Sequence, residues 1–273
     1  MPFILILLVG SHSLAQQTES LSLIDEENWL KDKYEELYSL ELDNEKEEVN
    51  DLIINRFEKI LTSQGSFDYP FDSLLRIGKI WSPDQKIRLI TWNIPQSDGT
   101  HVYYGFLQYR LKKRKSHTLI RLNDRSAEIK QPELAELSAD NWFGALYYDI
   151  LLNKYARKKY YTLLALDYND LFSHKKLVDV LTFTSEGRPV FGKDIFQDGN
   201  TIQKRIIFEY SPNVAMTLRY NNELNMIVFD HLSPIEPALE GNFKFYAPDL
   251  SFDGLEFHKG KWIYRADLDV RNP

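Results

Sequence analysis

The sequence predicts an α+β fold in which an N-terminal two-helix arm packs on a large antiparallel β domain. Between residues 23 and 62 the apolar side chains recur at helical spacing. From about Ser73 onward the apolar residues fall instead into short runs rich in strand formers, and turn residues separate those runs. Short links between strands imply antiparallel neighbours. Sixteen Tyr and sixteen Phe against only twelve Gly agree with a strand-rich, well-packed chain.

The elements follow in order. In the first helix Leu23, Trp29, Leu30, Tyr34, Leu37 and Tyr38 approximate one stripe, and Asp25, Glu26, Glu27, Asp32, Glu35 and Glu36 lie largely away from it. Ser22, three residues before Asp25, suits a first-turn cap. In the second, Asn44 with Glu47 makes a similar capping arrangement ahead of Val49, Leu52, Ile53, Phe57, Ile60 and Leu61. The short polar link at 41–45 favours an antiparallel helical hairpin. Strands are expected at 87–92, 102–111, 145–152, 160–166, 177–183, 202–210, 214–220, 226–229, 255–257 and 262–264. Between Ser126 and Asn141, Pro132 is placed to start a short helix.

The β region is expected as a curved sheet, barrel or meander. A propeller-like arrangement is the alternative, because Trp81-Ser82-Pro83-Asp84 is echoed by Tyr210-Ser211-Pro212-Asn213 and related turns follow at intervals close to a propeller blade. Pro-Asp and Asn-Asp are also ordinary turn dipeptides in any antiparallel sheet. The organisation is therefore residues 1–15 as a signal peptide, 16–64 as an acidic helical hairpin and 73–273 as the β domain.

The signal-peptide reading rests on the apolar run Ile4-Leu5-Ile6-Leu7-Leu8-Val9, with Ser13 and Ala15 at the −3 and −1 positions of a cleavage site. The run is too short for a permanent membrane span, and no later stretch approaches one, so a soluble exported chain without a transmembrane segment is expected. The absence of cysteine rules out a disulfide framework, a thiolate nucleophile and Cys-ligated zinc. Of the net charge of −7, residues 16–64 contribute 5 − 14 = −9, which leaves +2 for the rest. The acidity belongs to the arm and argues against nucleic-acid binding. The basic groups Arg110, Lys112, Lys113, Arg114 and Lys115, and Arg157, Lys158 and Lys159, read as solvated turns.

No linear catalytic signature is present: no nucleophile elbow, zinc-protease helix, phosphate loop or dinucleotide fingerprint. Candidate chemistry is confined to the last third. Asp230 and His231 place a carboxylate beside an imidazole, and with Asp249 and Asp253 they are the catalytic candidates. Adjacent strand residues point to opposite faces, so Asp230 and His231 are not expected to pair directly. Asp267 and Asp269 are the metal candidates, since carboxylates two apart on a strand share a face and could hold Ca²⁺ with backbone oxygens. No other cofactor is implied. Trp81, Trp92, Tyr103, Tyr104, Trp142, Tyr147 and Tyr148 could form a stacking platform for sugars, although such residues in β domains are mostly core.

Several strings together carry a resemblance: Ala15-Gln16-Gln17, Pro189-Val190-Phe191-Gly192, Met226 to Leu232, Phe245-Tyr246-Ala247-Pro248-Asp249, and Lys261-Trp262 ahead of Asp267 to Asn272. The β region resembles a group of uncharacterised secreted proteins of Bacteroidota. The resemblance implies export in a Gram-negative cell, to the periplasm or the exterior, and brings no activity. The expected role is non-catalytic binding of an envelope protein or glycan partner; the alternative is a hydrolase built from scattered Asp and His.

Overall fold

A computed structural model of the 273-residue chain describes residues 22–110 and 117–269. The signal peptide expected at 1–15, the basic residues 112–115 and the Val270-Arg271-Asn272 string lie outside the described residues.

The helical hairpin forms where the periodicity places it, as α1 (Leu23–Ser39) and α2 (Asp43–Thr62). Ser22 caps α1, its hydroxyl accepting from the Asp25 N–H at 3.4 Å. The second cap differs from expectation. Leu42 is the capping residue and makes no side-chain cap bond, so Asn44 and Glu47 lie inside the helix. The Asp43 carboxylate in the first turn instead accepts two bonds from the Ser97 N–H, each 3.0 Å, across to a strand loop. Glu26 and Glu27 are buried rather than outward-facing. Arg56 forks onto Glu26, while Glu27 accepts from the Ser73 N–H at 2.6 Å and the Tyr69 hydroxyl at 2.5 Å. The two glutamates tie α1 to α2 and to the following loop.

Three open sheets follow. The first is the meander β1 (Gly78–Trp81), β2 (Ile87–Pro95), β3 (His101–Tyr109) and β4 (Thr118–Asn123). The second is built from β5 (Leu146–Tyr155), β6 (Lys158–Asp167), β7 (His174–Phe183) and β8 (Pro189–Phe191), and β11 later joins the same edge of β7 as β8. The remaining strands are β9 (Phe196–Asp198), β10 (Thr201–Gln203), β11 (Ile206–Tyr210), β12 (Leu218–Asn221), β13 (Met226–Pro234), β14 (Tyr246–His258) and β15 (Lys261–Arg265). All of them except β11 form the third sheet, in the order β10-β9-β15-β14-β13-β12. One pairing, β15 with β9, is parallel.

Side-chain alternation stacks these layers in a line. On β2, Ile90, Trp92 and Ile94 face the hairpin, meeting Leu30, Tyr34, Ile53 and Phe57. Ile87 and Leu89 face the second sheet, meeting Leu163, Leu177 and Phe191. On β6 and β7, Leu163, Leu177 and Leu181 look back to the first sheet, and Leu164, Val178 and Val180 look forward to Ile227, Leu255 and Trp262 of the third. Strands between two layers bury both faces, which explains why β2 and β6 read as nearly continuous apolar runs. The hairpin is the outer cover of this stack. Trp92 donates its indole N–H to Asn50 at 2.8 Å, and Gln108 donates to the Leu61 carbonyl at 2.8 Å, so polar bonds register the cover on the sheet.

The three sheets are separate and none closes, so the barrel and propeller alternatives do not describe the stack. The Ser-Pro echo is shared turn chemistry. Ser82 closes the hairpin of the paired strands β1 and β2, accepting from the Ile87 N–H at 3.0 Å. Ser211 stands between β11 and β12, which belong to different sheets. The single strand expected at 202–210 is broken before Ile206, because Arg205 turns inward. Its Nε donates to Asp179 at 3.0 Å, and its guanidinium also donates to the Pro132 and Ala135 carbonyls. Pro132 starts a short turn of 3₁₀ helix, as its fixed φ favours.

Candidate functional site

Strands β13 and β14 pair regularly from Met226–Glu256 to Asp230–Phe252, then resume at Leu232–Pro248. Asp249, Leu250 and Ser251 therefore stand opposite His231 alone, a bulge of the kind that re-aims side chains. Its shape follows from local chemistry. The Asp249 carboxylate accepts from the Ser251 N–H at 3.0 Å and the Ser251 hydroxyl at 2.7 Å, closing a tight turn. Leu250, between them, has left-handed backbone (φ 74°). That conformation is costly for a branched side chain. Its side chain is 90% exposed.

Three of the six candidates bring their side chains together at this bulge. His231 donates from Nδ1 to Asp253 Oδ2 at 2.7 Å, and its Nε2 is 4.0 Å from Asp249 Oδ2. Asp253 is only 2% exposed. It also accepts from the Tyr264 hydroxyl and, at 3.1 Å, from the Asp267 N–H. A buried carboxylate needs such partners to be tolerated. The Asp253 hydrogen bond, with the nearby charges of Asp253, Asp249 and Asp267, holds the His231 imidazole above its ordinary pKa, outweighing the opposing effect of burial. The Ser251 hydroxyl keeps Asp249 below the usual carboxylate range. Burial, reinforced by Asp253, raises the Tyr264 phenol.

The other candidates separate. Asp230 points away from His231, as strand alternation requires, and accepts from the Thr217 N–H at 2.6 Å. Asp267 and Asp269 do not share a strand face. The strand β15 ends at Arg265, and Asp267 is left-handed (φ 55°), so the two-residue spacing loses its meaning there. Among the described residues, no group of three or more His, Asp or Glu side chains is arranged to hold a metal ion. Trp92, Trp142, Tyr103 and Tyr147 are buried in the stacked cores rather than forming a platform. Tyr148 is exposed, and its hydroxyl donates to the Leu218 carbonyl at 2.8 Å.

Tyr264 is the member that sequence reasoning missed. The alternation through Trp262 and Tyr264 was the available signal, since it puts Tyr264 on the opposite face from the Ile263 side chain. Chemically, the cluster can hold a cationic imidazole between two carboxylates, or present Nε2 of an Asp-anchored histidine to a reacting group. No protein-family model, curated protein or solved structure matches this chain. No helix among the described residues is long and apolar enough to cross a membrane.

Proposed function

We propose that this chain is exported to the envelope of a Gram-negative cell, after cleavage behind Ala15, and there binds a protein or glycan partner without turning it over. The kinship with secreted Bacteroidota proteins belongs to the same proposal. The supporting observation is Leu250. A large apolar side chain is thrust into solvent on strained backbone, and the Asp249–Ser251 turn and the His231–Asp253–Tyr264 bonds hold that backbone in place. Strain that is held by its surroundings is a mark of functional positions. A lone apolar tip framed by charged groups suits an anchor that enters a partner's pocket.

The polar atoms of the cluster are largely bonded to one another, which fits a scaffold for the bulge. Capture of partners from a native envelope extract by the wild-type chain and by Leu250→Asp tests the reading. A partner retained by the wild type and lost from Leu250→Asp is the expected result. N-terminal sequencing of the protein from its host is expected to begin at Gln16; a chain beginning at Met1 or Pro2 would refute export by this route.

One observation favours the hydrolase reading. Asp253 anchors Nδ1 of His231 and leaves Nε2 on the exposed side, the arrangement a histidine base uses. A hydrolytic activity abolished in His231→Gln yet retained in Leu250→Asp would replace the binding proposal.

A further inference from the structure

A second constellation lies at the ends of two adjoining hairpins and shares no residue with the bulge. The β5–β6 turn is made by Ala156 (φ 48°) and Arg157 (φ 62°), consecutive left-handed residues where Asn and Gly are the usual choice. The turn sets Lys154 directly across from Lys159, and Tyr155 across from Lys158. Like charges in direct register repel. The Tyr155 ring lies so close to Gly260 that a Cβ there would come within 2.7 Å of it. The β14–β15 turn, with Lys259, is thereby brought alongside.

Lys158, Lys159, Lys193, Tyr160, Tyr161 and Thr182 line a cavity of about 400 Å³. Lys159 is neutralised by Asp84 at 2.5 Å, and the Tyr161 hydroxyl is bonded to the same carboxylate. Lys154, Arg157, Lys158, Lys193 and Lys259 have no acidic partner among the described residues. In a chain with a net charge of −7, five uncompensated cations at one end are a concentrated positive field.

We propose that this cavity binds a tetrahedral oxyanion, the phosphate or sulfate ester of a small ligand. Ammonium groups bind phosphate as compact point charges, and the three terminal oxygens of an ester anion can reach several ammonium and hydroxyl donors at once, where a carboxylate offers two. The lining supplies lysines together with two hydroxyls, those of Tyr160 and Thr182, which make no other hydrogen bond among the described residues. Tyr160 and Thr182 stand opposite each other, one step beyond the Tyr161–Leu181 pair, so they offer donors from one face. The volume falls within the range of pockets that hold small molecules.

The test uses the full chain and four probes that share a sugar frame: glucose 6-phosphate, glucose 6-sulfate, glucuronate and glucose. The rate of acetylation of each lysine, followed by mass spectrometry, reports occupancy at residue level. Either ester is expected to slow acetylation of Lys158 and Lys193 severalfold, with the stronger identifying the preferred ester, while glucose and glucuronate leave the rates unchanged. Lys158→Ala with Lys193→Ala is expected to abolish ester binding measured by calorimetry, without lowering the melting temperature. Unchanged rates with both esters would overturn the proposal, as would equal protection by glucuronate. Displacement of the esters by a short single-stranded oligonucleotide at lower concentration would reassign the surface to a nucleic-acid backbone.

Discussion

His231 and Arg205 show opposite ways in which single residues hold this fold. His231 is half exposed, and its imidazolium is favoured by Asp253 and Asp249. Its pKa in the folded chain lies above the ordinary 6.5, so its stabilising contribution is complete below that value and is lost as pH rises through the raised pKa. The melting temperature of the wild type relative to His231→Gln is therefore expected to be highest at mildly acidic pH and to shrink as the solution turns alkaline. A difference that grows with pH would show that the neutral imidazole is the form the fold favours. Arg205 is fully buried against Asp179, so removing one partner strands the other. Asp179→Ala is expected to lower the unfolding free energy by about 3–5 kcal/mol in urea titrations, and Asp179→Leu with Arg205→Met to recover much of that loss. Little of this was legible in the sequence. Strand alternation correctly separated Asp230 from His231, but the meeting of His231 with Asp253 depends on a bulge that no local pattern encodes. Arg205 sat inside an apparent strand, and only tertiary contacts reveal why the strand breaks there.

At the scale of elements, both helices were legible because their stripes are long and their faces unlike. The cap of α1 was legible too, since Ser22 acts through its own first turn. The cap of α2 was not, because Asp43 is recruited by Ser97, far along the chain. The hairpin shares one core with the first sheet through Leu30, Ile53, Phe57 and Trp92, each such side chain worth roughly 1.5–3 kcal/mol when buried. Deletion of residues 16–64 is expected to produce aggregation or a large drop in melting temperature. A truncated chain that melts like the intact one would show the hairpin to be an independent module. Most strands of the central layers were legible from their β-branched and aromatic runs, but β4, at Thr118–Asn123, was not expected. The short strands β1, β8 and β9 were not, because three or four residues carry too little pattern to be told from loops.

For the whole molecule, the class was legible and the arrangement was not. Alternation shows that a strand has two faces; it does not say which layer covers each. The stack of hairpin and three open sheets arises because successive meanders each leave a second apolar face, which the next layer buries. The stack uses its core in joining layers, so under the binding proposal recognition falls to what the strand ends and bulges present, and the most distinctive of these is Leu250 on its strained, bonded turn. The central claim is that this bulge holds a partner. Site-specific incorporation of a photoreactive phenylalanine at position 250, followed by irradiation in the native envelope, tests it most directly. A discrete crosslinked product that disappears when the same residue is placed at exposed Leu75, on the hairpin side, is the result the account predicts. The same product from both positions, or none from position 250, would contradict it.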